Sequence, residues 1–220
     1  MTPHQNTSLV LRQKIARGRR YGRCTPRYMA MVFKWRFHFY GVLYDVLLKA
    51  KPLNLPLDFT ALEKYMDGFT VEYRNIADLP EEFLADLRQA GEVKEGWNHI
   101  DTKNGIVYIF FDPNMSKERQ RFTIAHEWGH VFQKLDSEFK ADMESLPNAE
   151  ERNAIIESVA DHMAAFYLVP HPLLKAEATE AMRVYGIEEA IVPRLAVRFA
   201  VSQAVISNSF MNCRPRFQIR

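Results

Sequence analysis

A mostly helical α+β fold with a small mixed β-sheet is what this 220-residue chain predicts, on three observations. Two proline-free runs, Lys117 to Leu135 and Glu150 to Val169, carry apolar residues at helical spacings. Between them and the N-terminal third lie β-rich runs, Thr70-Val71-Glu72-Tyr73-Arg74 and Asn98 to Phe111. The second is broken by Asn104-Gly105, which favours a tight reversal. After Pro172 apolar helical periodicity returns, so the sheet is small and bracketed by helices.

Taken in order, the elements begin with a charge asymmetry. Residues 1–44 hold nine Lys or Arg and no Asp or Glu, against a net charge of +2 for the whole chain. Residues 1–27 read as a basic, disordered arm; a transit peptide or a nucleic-acid-touching arm are the alternatives for such a composition. The main domain is expected over 28–175 and a C-terminal helical extension over 176–220. Residues 28–49, rich in aromatics, form the first helix, and Tyr40 to Lys49 is its clearest part. Pro52 to Pro56 reads as a turn, and Asp58 to Met66 as a short helix capped by Asp58. Residues 80–90 read as helical. The Asn98–Phe111 hairpin turns at Lys103-Asn104-Gly105, and its second strand, Ile106 to Phe111, could also offer a sheet edge to an extended substrate backbone.

Ser116 caps the next helix, and no proline interrupts it through Leu135. Residues 136–149, with Asp136, Glu138, Lys140, Asp142 and Glu144, read as a solvated polar loop, with a mobile cleft wall as the functional alternative. Further on, Val192-Pro193 starts an apolar helix, Arg194 to Phe199, and Ser202 caps another, Gln203 to Phe210. The pair resembles a helix-turn-helix. Its second helix carries no basic residue, so packing or partner docking is favoured over DNA reading.

Composition narrows the class. Hydrophobic residues at 47% and charged residues at 25% are ordinary for a globular protein. Cys24 and Cys213, the only cysteines, give no disulfide framework, so a reducing, cytoplasmic setting is expected. Lys34, Arg36, His38 and Asp45 break the richest apolar run, which leaves no candidate membrane span.

The chemistry concentrates in His126-Glu127-Trp128-Gly129-His130. On a helix, histidines four apart project from one face and can share a tetrahedral metal, while Glu127 falls beside it as a general base for a zinc-activated water. Gly129 would relieve crowding where another element lies against the metal face. A catalytic zinc normally takes three protein ligands. Glu157 is the candidate third, with Asp161 one turn on to hydrogen-bond the far nitrogen of a ligating histidine. His162 and His171 read as structural.

The stretches IVYIFFDPNMSKERQRFTIAHEWGHVF and ESVADHMAAFYLVP resemble the ImmA/IrrE family of zinc metallopeptidases, with the resemblance running from about Tyr44 to Pro170. It implies a zincin-like domain in which His126, His130 and Glu157 bind zinc, or manganese in its place, and Glu127 is the base. Asp161 takes the supporting place by analogy with related zinc peptidases. Trp128, Tyr167 and Val169 replace smaller or different apolar residues without touching the ligands. The resemblance also implies a narrow protein substrate, a helix-turn-helix transcriptional repressor of a phage or mobile element. The alternative is a non-catalytic anti-repressor or DNA-associated binding module with structural zinc.

Overall fold

The computed structural model describes residues 25–79, 95–185 and 188–213. The expected helix at 80–90 and the basic residues 1–24 lie outside these. The chain opens with α1 (Pro26–Lys49), where Thr25 Oγ1 accepts from the Tyr28 amide and Pro26 takes the first helical position, in which its missing N–H leaves no bond unmade. One face of α1, including Trp35, Phe39 and Leu43, is buried. A short α2 (Thr60–Tyr65) follows; Asp58 accepts from the Thr60 amide, so it caps from two residues before the helix and not at its start.

Strands β1 (Thr70–Asn75), β2 (Gly96–Asp101) and β3 (Ile106–Phe111) form a mixed sheet in the order β1-β3-β2. Strand β1 runs parallel to β3 with Thr70 opposite Ile106, and β2 runs antiparallel with Asn98 opposite Ile109. This corrects the expectation that Ile106–Phe111 offers an edge. It is the central strand, with both sets of backbone groups already paired. Val107 and Ile109, fully buried, turn to the core.

The chain then enters α3 (Lys117–Leu135), capped by Ser116 Oγ on the Arg119 amide. Next comes α4 (Ser137–Glu144), in place of the expected polar loop. Asp136 caps it by accepting from the Phe139 amide, and Phe139 and Met143, one turn apart, are buried. Its polar residues serve tertiary contacts: Asp142 accepts from Lys34 Nζ at 2.6 Å and Trp35 Nε1 at 3.0 Å, and Asp136 pairs with His38. Polarity there reflects docking onto α1, which a one-dimensional charge pattern does not separate from solvation.

Helix α5 (Ala149–Leu168) packs along α3 and also against α1, forming the centre of the molecule. Then come α6 (His171–Tyr185), α7 (Glu188–Phe199) and α8 (Gln203–Cys213). Helix α7 begins before Val192, so Pro193 sits inside it and not at its start. The expected divisions at residues 27/28 and 175/176 fall within α1 and α6 respectively. Leu195, Phe199, Val201 and Ile206 belong to the same apolar core as α1 and α5. Among the described residues no helix is long and apolar enough to cross a membrane.

Candidate metal centre

Helix α3 carries the centre because its burial pattern splits into three faces. Trp128 and Val131 point to the core, Gly129 meets α5, and His126 and His130 turn toward a shared opening. A Cβ on Gly129 would lie 3.0 Å from Ala160 Cα and 3.2 Å from its carbonyl oxygen. That close approach brings Glu157 of α5 over the two imidazoles.

His126 Nε2 and His130 Nε2 are 3.0 Å apart. Glu157 Oε2 lies 3.2 Å from His126 Nε2, and its Oε1 lies 3.5 Å from His130 Nε2. A tetrahedral ion with bonds of about 2.0–2.1 Å has ligand atoms about 3.3 Å apart, the scale of these contacts, in which each carboxylate oxygen faces one imidazole. His126, His130 and Glu157 are the group among the described residues whose ligand atoms gather within 4.8 Å. Two imidazoles and one carboxylate suit zinc before a hard cation such as magnesium. Side-chain exposures of 17% and 14% for the histidines against 56% for Glu157 show that the triangle opens to solvent on the α5 side.

Each histidine is also held from behind. Asp161 Oδ1 accepts from His126 Nδ1 at 3.0 Å, and Gln133 Oε1 accepts from His130 Nδ1 at 3.1 Å. Gln133, itself buried, donates from Nε2 to the Ile156 carbonyl at 3.0 Å, tying α3 to α5 beside Glu157. Burial of His126 disfavours its cation. Hydrogen bonds to Asp161 and Glu157 outweigh that and push its pKa up to about 10. Burial would raise the Glu157 carboxyl, but hydrogen bonds from His126 and His130 hold it well below the usual carboxylate range.

Glu127 is buried at 6% exposure, with Oε2 accepting from Asn98 Nδ2 at 2.6 Å. Asn98 Oδ1 in turn accepts from Lys134 Nζ at 2.5 Å. Gly96 lies against the same carboxylate, where an added Cβ would sit 2.9 Å from Glu127 Oε1 and 2.5 Å from Thr123 Cγ2. Glu127 is therefore fixed in one rotamer from two strand positions of β2.

Residues 88–211, more than half of the chain, match the model of an M78 peptidase family described as the IrrE N-terminal-like domain. The chain belongs to this family. Within the IrrE-like family, it is 29% identical over 109 residues to the radiation response metalloprotease IrrE of Deinococcus radiodurans, covering 49% of this chain and 31% of that relative. The chain thus spans about a third of that protein's length. A transcriptional regulator of Mycobacterium tuberculosis aligns in structure over 79% of this chain and 45% of its own, at 17% identity and a TM-score of 0.46. The IrrE-like match begins after α1, α2 and β1, so those three elements lie outside the matched stretch.

Gly96, Asn98, Gln133 and Lys134 are the residues of this IrrE-like centre that sequence reasoning missed. Gln133 follows His130 by three on the same helix, a spacing that puts it on the metal side. In β2 the buried positions are Gly96 and Asn98, whereas Trp97 is half-buried and His99 is exposed. A glycine and an amide where alternation calls for apolar residues were the available signal. His171 stands outside the cluster against Tyr40 and Phe166, and His162 Nδ1 donates to the Ser158 carbonyl within its own helix.

Proposed function

We propose that the chain is a zinc-dependent endopeptidase of narrow specificity, with His126, His130 and Glu157 as metal ligands, Asp161 supporting His126, and Glu127 as general base. The single observation that carries this is the convergence of the two imidazoles and the Glu157 carboxylate, with one ligand atom of each within 4.8 Å of the others, beside a buried, hydrogen-bonded carboxylate on the next residue of the same helix. A structural metal site has no use for such a base. When bound, zinc supplies Lewis acidity, acidifying a water and polarising a peptide carbonyl.

The protein groups do the remaining work. Glu127 takes a proton from the attacking water and passes it to the departing amine, so one carboxylate serves both halves of the reaction. Asn98 holds Oε2 by donating to it, and Gly96 leaves room for Oε1, so β2 positions the carboxylate that acts as the base. With β3 enclosed, β2 is the strand beside Glu127 that could bind an extended substrate. Membership of the IrrE-like family and the named activity of its Deinococcus relative support a protein substrate. We take that substrate to be a helix-turn-helix transcriptional repressor met in the cytoplasm, and manganese to be the alternative metal.

The deciding experiment compares wild type with Glu127→Gln on the helix-turn-helix proteins encoded beside its gene, with fragments read by mass spectrometry. Glutamine keeps the shape but cannot take the proton, so metal content should stay at one per chain while cleavage falls at least 10³-fold, within the roughly 10²- to 10⁴-fold range of general-base catalysis. Undiminished cleavage by the glutamine variant rejects the role of Glu127. Tight binding without cleavage by either form favours an anti-repressor.

A further inference from the structure

Beside His130 a groove of about 310 Å³ opens between α3, α4 and α5. Its volume is at the low end for a ligand pocket, of the order that one or two side chains fill. Its floor is apolar: Phe139 and Met143 from α4 and Ile156 from α5. Its lining cations are Lys134, Lys140 and Arg152, with Glu144 the acid among its lining groups. Phe139 is 3% exposed and held from behind by Trp35 and Phe39, with ring centroids 5.1 and 5.6 Å away, so the floor cannot collapse easily. The groove is also rigidly joined to the metal triangle. Gln133 bonds both the His130 ring and the Ile156 carbonyl, and Ile156 precedes Glu157.

Resting on the metallopeptidase reading, we infer that this groove is a specificity subsite that receives a bulky apolar side chain, of leucine, methionine or phenylalanine size, from a residue next to the scissile bond. A polypeptide crossing the metal triangle passes the groove mouth at His130. An apolar floor stabilises a side chain that leaves water there, and a basic side chain meets the lining cations Lys134, Lys140 and Arg152. Helix α4, read from sequence as a polar loop, thus forms a wall of the substrate cleft. Narrow specificity acquires a physical source in Phe139, Met143 and Ile156.

Hydroxamates test this without a known substrate, because the hydroxamate anchors on zinc and the attached side chain reports the groove. Acetohydroxamate and dipeptide hydroxamates bearing methyl, isobutyl, benzyl or aminobutyl groups are titrated calorimetrically into the zinc-loaded full chain. The isobutyl or benzyl compound should bind at least tenfold tighter than the methyl one, the yield expected from burying one aliphatic side chain, and the aminobutyl compound should lose that gain. Ile156→Trp should erase the isobutyl advantage while leaving acetohydroxamate affinity unchanged. Should that variant lose zinc, Met143→Ala replaces it and is expected to shift preference from isobutyl toward benzyl. Equal binding of methyl and isobutyl compounds within twofold, or an unchanged ranking in the groove variant, overturns the subsite while leaving the metallopeptidase reading intact. Failure of every hydroxamate, acetohydroxamate included, overturns that reading and the subsite with it.

Discussion

Both ring nitrogens of His126 and of His130 have assigned neighbours: Nε2 converges on the shared point, and Nδ1 rests on Asp161 or Gln133. The proton held by His126 in the metal-free protein has a measurable consequence. Its pKa, pushed up to about 10 chiefly by Asp161 and Glu157 against the effect of burial, means that metal must displace a proton at neutral pH. Apparent zinc affinity should therefore rise about tenfold per pH unit between about 6.5 and 8.5, measured by competition with a chelating dye. Asp161→Asn removes a main raising partner, so its slope should flatten in that range; a flat wild-type profile would reject the assignment. The sign for folding is the reverse. A raised histidine pKa stabilises the metal-free fold fully below its ordinary 6.5 and loses that contribution as pH climbs toward 10. The depressed Glu157 carboxyl stabilises above its ordinary 4.5 and loses that contribution as pH falls below it. His126, Glu127, His130, Glu157 and Asp161 were legible because each set repeats within one helix, where spacing alone dictates the face. Asn98 and Lys134 were not, because the contacts of Asn98 with Glu127 and with Lys134 depend on how β2 lies across α3.

At the scale of elements, the site exists because α3 and α5 approach closely at Gly129 and Ala160. Both long helices and all three strands could be read from periodicity and the Asn104-Gly105 turn, since those signals are local. Helix α4 could not be read so. Its capping residue and its Phe139–Met143 pair were present, but the acidic run outweighed them, and only α1 shows why those acids are there. The placement of β3 at the sheet centre was likewise non-local, because it depends on the parallel pairing of β1 across the connection. Gly129→Val tests the helix contact. Its Cβ meets backbone atoms of Ala160 at 3.0 and 3.2 Å, so relief requires the helices to separate and not a side chain to turn. Overpacking of this kind costs about 1–3 kcal/mol. The larger signature should be in metal affinity, because moving α5 withdraws Glu157 from His126 and His130. Thermal melting with zinc titration measures both. A variant with lowered Tm but wild-type zinc affinity would show that the contact serves stability alone.

Across the whole molecule, the C-terminal helices complete the core that α1, α3 and α5 begin. Ala200, at φ 50°, turns the chain from α7 into α8, and its carbonyl accepts from Arg121 Nε at 3.2 Å. The same guanidinium donates to the Leu57 carbonyl at 2.6 Å, so one side chain of α3 fastens the α7–α8 turn and the segment before α2. Leu195, Phe199, Val201 and Ile206 are each 3% exposed or less. The helix-turn-helix likeness of this region therefore accompanies a packing role, as expected from a second helix without basic residues. Burying a large aliphatic or aromatic side chain contributes about 1.5–3 kcal/mol, so four of them hold roughly 6–12 kcal/mol. A domain is stable by only about 5–15 kcal/mol, and truncation after Ile187 should abolish cooperative unfolding and, with it, stoichiometric zinc binding. Phe199→Ala isolates one such contact and should cost about 3–5 kcal/mol in denaturant titration while keeping the metal triangle assembled. A truncated chain that still melts cooperatively and binds one zinc would show that α3 and α5 fold without α7 and α8, and that α7 and α8 form an independent appendage.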